Sequence, residues 1–191
     1  PEFTEPWRNA KLACSAYRSF VRGSSQKRVG GRWLAGQLAS GTSPRGPWRL
    51  LDVGAGSGVV LRALLDEFRA RTEFAALGSR VFDAVAVEPN QALLPDLAEL
   101  GRVIGCHAAL RPVHSTIEDW LESTSEDGFD AILLFHVLNY LPGDTAPSIL
   151  SGLVERLRQR GTLFISACHS NSWLSRLRQV VLTDFPAAAL D

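Results

Sequence analysis

The sequence predicts an α/β fold: a doubly wound, mostly parallel β-sheet preceded by an N-terminal helical cap. Two observations support this prediction. The chain has 191 residues, of which 46% are hydrophobic and 21% charged, as is typical of one globular domain. From Trp48 onward, short apolar runs alternate with amphipathic segments. Such alternation is typical of parallel strands with helices packed on both faces of the sheet.

The N-terminal part is predicted to be helical and to differ in character from the rest. Residues 1–3 (Pro-Glu-Phe) resemble a cloning scar and carry no fold prediction. Residues 4–45 are expected to form the cap, with helices over 4–22 and Gln26–Leu38 followed by a turn-rich linker. Residues 46–191 are expected to form the core.

The core contains five predicted strands and four predicted helices. The strands are expected at Arg49–Val53, Val81–Val87, Arg111–His114, Ala131–Phe135 and Thr162–Ala167. The helices are expected at Val59–Arg69, at Asn90–Leu100 with a disturbance or restart at Pro95, from Asp144 or Thr145 to Arg158, and at Trp173–Leu182. We expect ligands to bind where the strands end, since the loops there surround a crevice.

The composition argues against several classes of function. Lysine plus arginine and aspartate plus glutamate each number 20, so no net charge attracts the chain to nucleic acid or to membranes. The longest apolar run, 131–141, is too short to span a bilayer. The cysteines lack disulfide and zinc patterns, so a cytoplasmic location is expected. They are Cys14, Cys106 and Cys168.

A glycine-rich loop follows the first predicted strand. Leu50–Gly58 reads LLDVGAGSG, so a buried strand runs into alternating glycines and then opens a helix. Such glycines allow a sharp turn and a close approach of the backbone to a ligand. The spacing is GxGxG, with Val59 where the dinucleotide-binding pattern has its third glycine. Asp52, two residues before the first glycine, suits a ligand that carries an ammonium group.

The next predicted strand ends in an acidic residue, Glu88, within the sequence VAVEPN. A carboxylate at this place can accept hydrogen bonds from both hydroxyls of a ribose. Dinucleotide enzymes use an acid in the same place, so Glu88 alone leaves both cofactor classes open. The structural interpretation is an acid favoured by a helix N-terminus.

Together these segments resemble the class I S-adenosylmethionine (SAM)-dependent methyltransferases, whose fold is Rossmann-like. The resemblance covers about residues 48–178, with the family's motifs in the right order. The matching segments are Leu50–Gly58, Val85–Asn90, His114–Trp120, Phe129–Pro142 and Arg160–Ser170. One departure is the separation of 36 residues between Asp52 and Glu88, which indicates an insertion around Arg69–Arg80.

The resemblance implies SAM as the cofactor and assigns residues to it. The first loop would hold the methionine part, and Glu88 would hold the ribose. Ile117 and Glu118 would border the adenine, and Phe135 would contact the methionine part through its backbone. The implied cofactor-binding residues are Asp52, Gly54, Ala55, Gly56, Glu88, Pro89, Ile117, Glu118 and Phe135.

A narrower resemblance is to histamine N-methyltransferase, in which N-terminal helices close over the cofactor. It rests mainly on residues 16–26 and on Ser172-Trp173-Leu174 followed by Phe185-Pro186. Gln26 and His136 fall at substrate-contacting positions where that family has a glutamate and a glutamine. The implied acceptor is therefore a small amine or imidazole-like molecule rather than histamine itself. The implied substrate-binding residues are Tyr17, Phe20, Gln26, His136 and Tyr140.

Each of these residues also has a purely structural interpretation. Gln26 can cap or solvate a helix start, and His136 can be a hydrogen-bonded structural histidine. Tyr17 and Phe20 can be packing residues. No metal site is expected, since no histidine has a second ligand at metal spacing.

The predicted reaction is methyl transfer to a nitrogen atom. A neutral imidazole nitrogen or a deprotonated amine needs no strong base, whereas a hydroxyl needs one. O-methylation with His136 as the catalytic base is therefore the alternative. Nucleic-acid substrates are not expected, because residues 135–140 lack the Asn/Asp-Pro-Pro-aromatic motif of enzymes that methylate base amino groups.

The predicted sheet is shorter than the family's seven strands, with the last one or two strands missing. The fifth strand would then be an exposed edge through which copies of the chain could self-associate. A non-catalytic module that binds SAM or a partner protein is the alternative function. The GxGxG spacing disfavours an NAD-dependent oxidoreductase.

Overall fold

The fold is organised around a parallel sheet, seen in a computed structural model that describes residues 17–19, 21–40, 46–70, 82–105, 108–141 and 144–167. The strands are β1 (Trp48–Val53), β2 (Phe82–Glu88), β3 (Ala108–His114), β4 (Phe129–Phe135) and β5 (Leu157–Ser166). Their order is β3-β2-β1-β4-β5, and every pair is parallel. The strand order therefore reverses between β1 and β4, which confirms the predicted doubly wound α/β class and locates the crevice where ligands bind in such sheets.

Helices cover both faces of this sheet. They are α1 (Gln26–Ser40), α2 (Val59–Ala70), α3 (Leu94–Ile104), α4 (Ile117–Ser123) and α5 (Ala146–Glu155), with 3-10 turns at Gln91–Leu93 and Leu138–Tyr140. Residues 17–19 and 21–23 are also helical and precede α1. Within the described ranges, each helix is too short or too polar to cross a membrane.

Two apolar clusters hold the helices to the sheet. The first lies between one sheet face and α1, α2 and α3, with Leu34, Leu64 and Leu97 fully buried. The second lies on the opposite face against α4 and α5, with Trp120 and Leu153 buried. All seven residues of β4 are buried, including Ala131–Phe135, whose continuous apolar run predicted burial on both faces.

Two adjacent glycines bring α1 close to the carboxyl end of the sheet. A side chain on Gly31 would meet the Val60 carbonyl oxygen at 2.6 Å and the Ala63 Cβ at 2.8 Å. A side chain on Gly30 would overlap the ring of Phe135, the last residue of β4. The first turn of α1 is consequently held beside the site where β1 and β4 end.

A buried carboxylate ties the lower end of the sheet together. Asp130 in β4 accepts a hydrogen bond of 2.6 Å from the backbone N–H of Arg49 and forms an ion pair with Arg158 of β5. Buried charges in proteins are ordinarily paired in this way. Asp130 is thus a buried aspartate with partners, and it can be compared with Asp52, the second buried aspartate, at the other end of the sheet.

The C-terminal boundary of α5 differs from the prediction. The helix ends at Glu155 rather than Arg158, because the carbonyl of Arg156 accepts a hydrogen bond from Phe129 N–H and is drawn into the sheet. β5 therefore begins at Leu157, opposite Phe129. A register shift follows, with Arg160 at a φ of 67°, before the predicted strand region pairs regularly.

The starts of α3, α4 and α5 can also be compared with the predictions. The restart predicted at Pro95 is confirmed, because a 3-10 turn capped by Asn90 precedes α3 and Pro95 occupies the first turn of α3. Thr145 begins α5 without a side-chain capping bond. α4 was not predicted as a helix; Thr116 caps it by accepting from Asp119 N–H at 3.1 Å.

Several predictions concern residues that the structure does not describe. They are the start of the N-terminal helix, Phe20, the linker over 41–45, the insertion over 71–80 and the helix at Trp173–Leu182. The three cysteines also lie outside the described residues.

Candidate functional site

The glycine-rich loop has the backbone conformation that its sequence predicts. Gly54, Gly56 and Gly58 have φ angles of 63°, 61° and 74°, in the left-handed region that favours glycine. The N–H groups of Gly54 and Ala55 both donate to the carbonyl of Val87, at 2.8 and 3.2 Å. The loop is therefore fastened to the end of β2, beside the strand-order reversal.

Neighbouring side chains leave no room for side chains on this loop. A Cβ on Gly54 would lie 2.7 Å from Val137, and one on Gly58 would lie 2.5 Å from Leu100. A Cβ on Gly56 would overlap the hydroxyl of Tyr17. Tyr17, in the helical segment over residues 17–19, thus lies directly over the loop.

Glu88 joins the loop to β2. Its carboxylate accepts hydrogen bonds from Gly56 N–H at 2.7 Å and from Asn90 N–H at 2.9 Å. Burial raises the pKa of Glu88 above its ordinary value, against the effect of those two N–H groups and of the charges on Lys27 and His114. Each oxygen accepts one of these bonds and keeps capacity for another.

Asp52, at the end of β1, is a buried aspartate that forms no ion pair with the residues that the structure describes. It is 2% exposed, and its Oδ2 atom has no hydrogen-bond partner among the described residues. Burial raises its pKa from 3.8 to about 7; the charge of Lys27 opposes the rise, and that of Glu88 adds to it. A buried polar atom without a partner is costly, so its retention beside a glycine loop indicates a ligand that supplies a donor.

The N-terminal segment is anchored by an arginine that the sequence analysis did not single out. Arg18 donates from Nε and Nη2 to the two carboxylate oxygens of Asp96, both at 3.0 Å, and from Nη2 to the Ala92 carbonyl at 3.3 Å. A two-point arginine–carboxylate contact fixes orientation as well as distance. It holds the adjacent Tyr17 over Gly56.

Lys27 is a second residue that the sequence analysis did not identify. Its ammonium group donates to the Tyr17 hydroxyl at 3.0 Å and lies 5.2 Å from the centre of the Tyr17 ring. Gln26, predicted to contact substrate, is exposed where α1 begins, and its backbone N–H donates to Ser24 Oγ at 3.3 Å. Successive side chains on a helix point in directions that differ by roughly 100°, so Gln26 and Lys27 point to different sides of α1.

His136 follows the last residue of β4 in a left-handed conformation, with a φ of 62°. Its backbone N–H donates to the Ser166 carbonyl at 2.7 Å, which fixes it against the end of β5. Such a backbone is uncommon outside glycine and is often found at functional sites. Burial lowers the pKa of His136, and the charge of Lys27 lowers it further, so the half-buried imidazole is neutral at pH 7.

The residues predicted to border the adenine lie where β3 leads into α4. Ile117 is buried at the start of α4, and Glu118 is partly exposed in its first turn. The Pro89 carbonyl lies 3.1 Å from His114 Nε2, so the loop after β2 is linked to the end of β3.

The remaining predicted site residues are Phe135, Tyr140 and Phe20. The Phe135 side chain is buried under α1, which leaves its backbone at the end of β4. Tyr140 is 50% exposed in the turn after β4, and Phe20 lies outside the described residues. Metal-binding clusters of three or more His, Cys, Asp or Glu side chains are not found in the described part of the chain.

The carboxyl edge of the sheet therefore gathers most of the predicted site. The glycine loop, Asp52 and Glu88 adjoin one another, His136 ends the neighbouring strand, and Tyr17 covers the loop. Residues 12–188 match the model of a family described as a methyltransferase domain. The chain belongs to this methyltransferase family. The broad resemblance seen in the sequence, to class I SAM-dependent methyltransferases, is thereby confirmed.

Solved methyltransferase structures share the fold of this family member. The plantazolicin methyltransferase BpumL in complex with SAH (S-adenosylhomocysteine) has a TM-score of 0.68 at 13% identity; the match covers 94% of this chain and 62% of that protein. A SAM-dependent methyltransferase from Leishmania major has a TM-score of 0.56 at 17% identity, over 84% and 57%. DesVI from Streptomyces venezuelae has a TM-score of 0.54 at 18% identity, over 81% and 56%.

These matches establish the Rossmann-like methyltransferase fold. The chain spans about three fifths of the length of these proteins. No curated protein matches it.

The buried Asp52 carboxyl predicts a pH-dependent stability. Since its pKa is raised in the folded state, its contribution to the free energy of unfolding is full below about pH 3.8 and is lost as pH rises through about 7. Asn stays neutral, so Asp52→Asn should stabilise the chain by about 2–4 kcal/mol at pH 8 and about half as much at pH 5.

Urea unfolding at the two pH values measures this difference. The matched control is Asp66→Asn on the exposed face of α2, where the side chain is 60% exposed and the change should stay within about 0.5 kcal/mol. An Asp52→Asn effect that is the same at both pH values would contradict the raised pKa.

Proposed function

We propose that this methyltransferase-family chain binds SAM and transfers its methyl group to a small-molecule acceptor, with a nitrogen atom as the favoured target. The buried Oδ2 atom of Asp52 beside the glycine loop carries the proposal, because it has no hydrogen-bond partner within the described part of the chain. Asp52 is acidic, so the missing partner is a hydrogen-bond donor, and the ammonium group of a methionine part is a donor with the opposite charge.

The neighbouring residues fit the rest of the cofactor. Glu88 uses its two oxygens for backbone N–H groups and keeps capacity for two ribose hydroxyls. Pro89, Ile117 and Glu118 lie at the ends of the next two strands, on the side proposed for the adenine. Gly54, Ala55 and Gly56 offer a backbone free of long side chains for the methionine part, and the Phe135 backbone at the end of β4 is proposed to contact it.

The proposed methyl transfer requires little of the protein beyond alignment of the acceptor with the methyl group and exclusion of water. SAM, when bound, supplies a methyl group on a positively charged sulfur that is already activated for displacement. The residues of the chain then have to orient the acceptor and exclude water. Tyr17 over the glycine loop covers one side of the site, and His136 borders the other at the end of β4.

A nitrogen acceptor does not require the neutral His136 side chain to act as a base. A neutral imidazole or amine nitrogen carries its own lone pair and needs no strong base. Gln26, His136 and Tyr140 remain proposed acceptor contacts, together with Phe20. The narrower likeness to histamine N-methyltransferase rests on the sequence alone and has no support from the comparisons.

The second candidate reaction is O-methylation. The lowered pKa of His136 leaves an imidazole that can accept a proton from a hydroxyl at neutral pH. Binding of SAM without any turnover would instead support a non-catalytic module. Self-association through β5, which is the edge of the described sheet, stays a prediction, as does a cytoplasmic location.

The cofactor assignment predicts the effect of two substitutions. Asp52→Ala and Glu88→Ala should each weaken SAH binding by about 1.5–3 kcal/mol, the scale of a hydrogen bond to a charged group. Calorimetric titration with SAH measures the change, with Asp66→Ala as the exposed acidic control and NAD as the control ligand. Unchanged SAH affinity in both variants would remove the assignment.

A third substitution separates the two reactions. His136→Asn removes the imidazole with a residue that tolerates the left-handed backbone. SAH affinity should change by less than about 2-fold. Turnover, followed by mass spectrometry over imidazole, amine and hydroxyl acceptors, should fall about 10²–10⁴-fold for hydroxyl acceptors and persist for imidazoles. Loss of SAH binding or of folding would show that His136 is a structural residue.

A further inference from the structure

A polar cavity lies at the amino end of the sheet, away from the glycine loop. It has a volume of about 120 Å³ and lies between the C-terminal half of α1 and the strands β1, β4 and β5. The buried residues that line it include Leu38, Trp48 and Asp130, and the exposed ones are Gln37, Arg160 and Thr162. A cavity of this size has room for several water molecules or for one small ligand.

The buried part of the cavity contains a hydrogen-bond donor. Trp48 is 5% exposed, and its Nε1 atom has no hydrogen-bond partner in the described ranges. An indole N–H can only donate, and a buried donor that lacks an acceptor is costly. A ligand that completes this part of the cavity therefore has to supply an acceptor.

The charged residues that line the cavity leave one positive charge uncompensated. Asp130 forms an ion pair with Arg158 and accepts a hydrogen bond of 2.6 Å from the backbone N–H of Arg49. Arg160, in contrast, forms no ion pair and no side-chain hydrogen bond with the residues that the structure describes. A guanidinium group, like an indole N–H, can only donate. The cavity thus combines an excess positive charge with donors that lack acceptors.

The backbone at Arg160 is strained where this side chain reaches the cavity. Its φ of 67° lies in the left-handed region, at the register shift between β4 and β5. A residue other than glycine costs free energy in this conformation, and bulges of this kind often redirect a side chain. Gly161 follows at a crowded position, since a Cβ there would lie 2.7 Å from the carbonyl oxygen of Phe129. The chain therefore has its glycine at the crowded position and an arginine at the strained one.

We propose that this cavity binds a phosphate group, free or as part of an ester, through the Arg160 guanidinium group, the Trp48 indole N–H and the Thr162 hydroxyl. Trp48 and Thr162 belong to the strands on either side of β4, so the donors come from separate elements. A tetrahedral oxyanion has acceptor oxygens in several directions, whereas one arginine fork matches a planar carboxylate. The inference is independent of the proposed SAM binding, because the cavity lies at the other end of the sheet from Asp52.

The first test uses inorganic phosphate and the whole chain without SAM. Calorimetry at constant ionic strength, with chloride as the replaced anion, should show saturable binding to one site. Arg160→Asn removes the charge with a residue that tolerates a left-handed backbone, and it should weaken phosphate binding about 10-fold or more. Arg160→Lys keeps the charge and should weaken binding less. Arg32→Asn, at an exposed position of α1 outside the cavity, is the matched control and should change the affinity by less than about 2-fold.

The indole N–H of Trp48 gives a second readout. Trp48→Phe identifies the signal of this group in a proton–nitrogen correlation spectrum, because the signal is lost. Phosphate should shift the Trp48 signal with the midpoint found by calorimetry. The signal of Trp120, which is assigned in the same way and lies on the opposite face of the sheet, should stay unchanged. The Trp48→Phe chain should bind phosphate about 5-fold more weakly, since it keeps an aromatic ring and lacks the donor.

Phenyl phosphate distinguishes an ester from the free anion. Leu38 and Phe164 give the cavity an apolar side that a ring could contact. Binding of phenyl phosphate that is at least as tight as that of inorganic phosphate would support a phosphate ester as the ligand. Exclusion of the ester, with inorganic phosphate bound, would support the free anion.

Three outcomes would overturn the assignment. If no saturable phosphate binding is found, the cavity is not an anion site. If Arg160→Asn and Arg32→Asn weaken binding equally, the anion is attracted only by the general charge of the chain. If phosphate binds and the Trp48 signal does not shift, the anion lies elsewhere. None of these outcomes bears on SAH binding, which is measured separately and without phosphate.

Discussion

A buried carboxylate at the end of β1, whose Oδ2 atom has no hydrogen-bond partner among the described residues, is the constraint on which the rest of the site depends. Asp52 is 2% exposed, less than Asp130 at the other end of the sheet, which is 5% exposed and has an arginine and a backbone N–H as partners. Removing a carboxyl from water without such partners costs free energy and raises its pKa. Asp52 lies where β1 meets the glycine loop, at the strand-order reversal. A ligand that binds there and carries a hydrogen-bond donor can offset this cost.

The surrounding structure is arranged around this carboxyl. The glycine loop is fastened to β2 through Val87 and Glu88, and a helical segment closes it from above through Tyr17. Lys27 brings a positive charge that limits the repulsion between Asp52 and Glu88. The proposed methyl transfer from an activated donor requires alignment of the reactants more than acid or base groups.

The parts of the site that follow a local pattern could be predicted from the sequence. The glycines and Asp52 lie within nine consecutive residues, and Glu88 ends an apolar strand, so the sequence predicted that they adjoin at the carboxyl edge of the sheet, while their roles toward a cofactor stay proposals. Lys27, Arg18 and Asp96 could not be found in this way, because their contacts join segments 10 and 78 residues apart. The end of α5 was wrong for a similar reason: a helical pattern through Leu157 is overridden when Arg156 and Leu157 pair with Phe129 across the sheet. The Lys27 contact with Tyr17 above the loop could not be predicted either, since a sequence does not fix the rotation of a helix; the substrate contact of Gln26 stays a prediction.

The most direct test of this account is the number of protons released when SAH binds. An ammonium group that contacts Asp52 must lower the pKa of this carboxyl from about 7, so binding should release about half a proton at pH 7 and about 0.1 at pH 8. Calorimetric titrations in buffers of different ionisation enthalpy measure this number, and Asp52→Asn should abolish the pH 7 release. SAH binding that is independent of the buffer, or an equal release from the Asp52→Asn chain, would contradict the central role of this carboxyl.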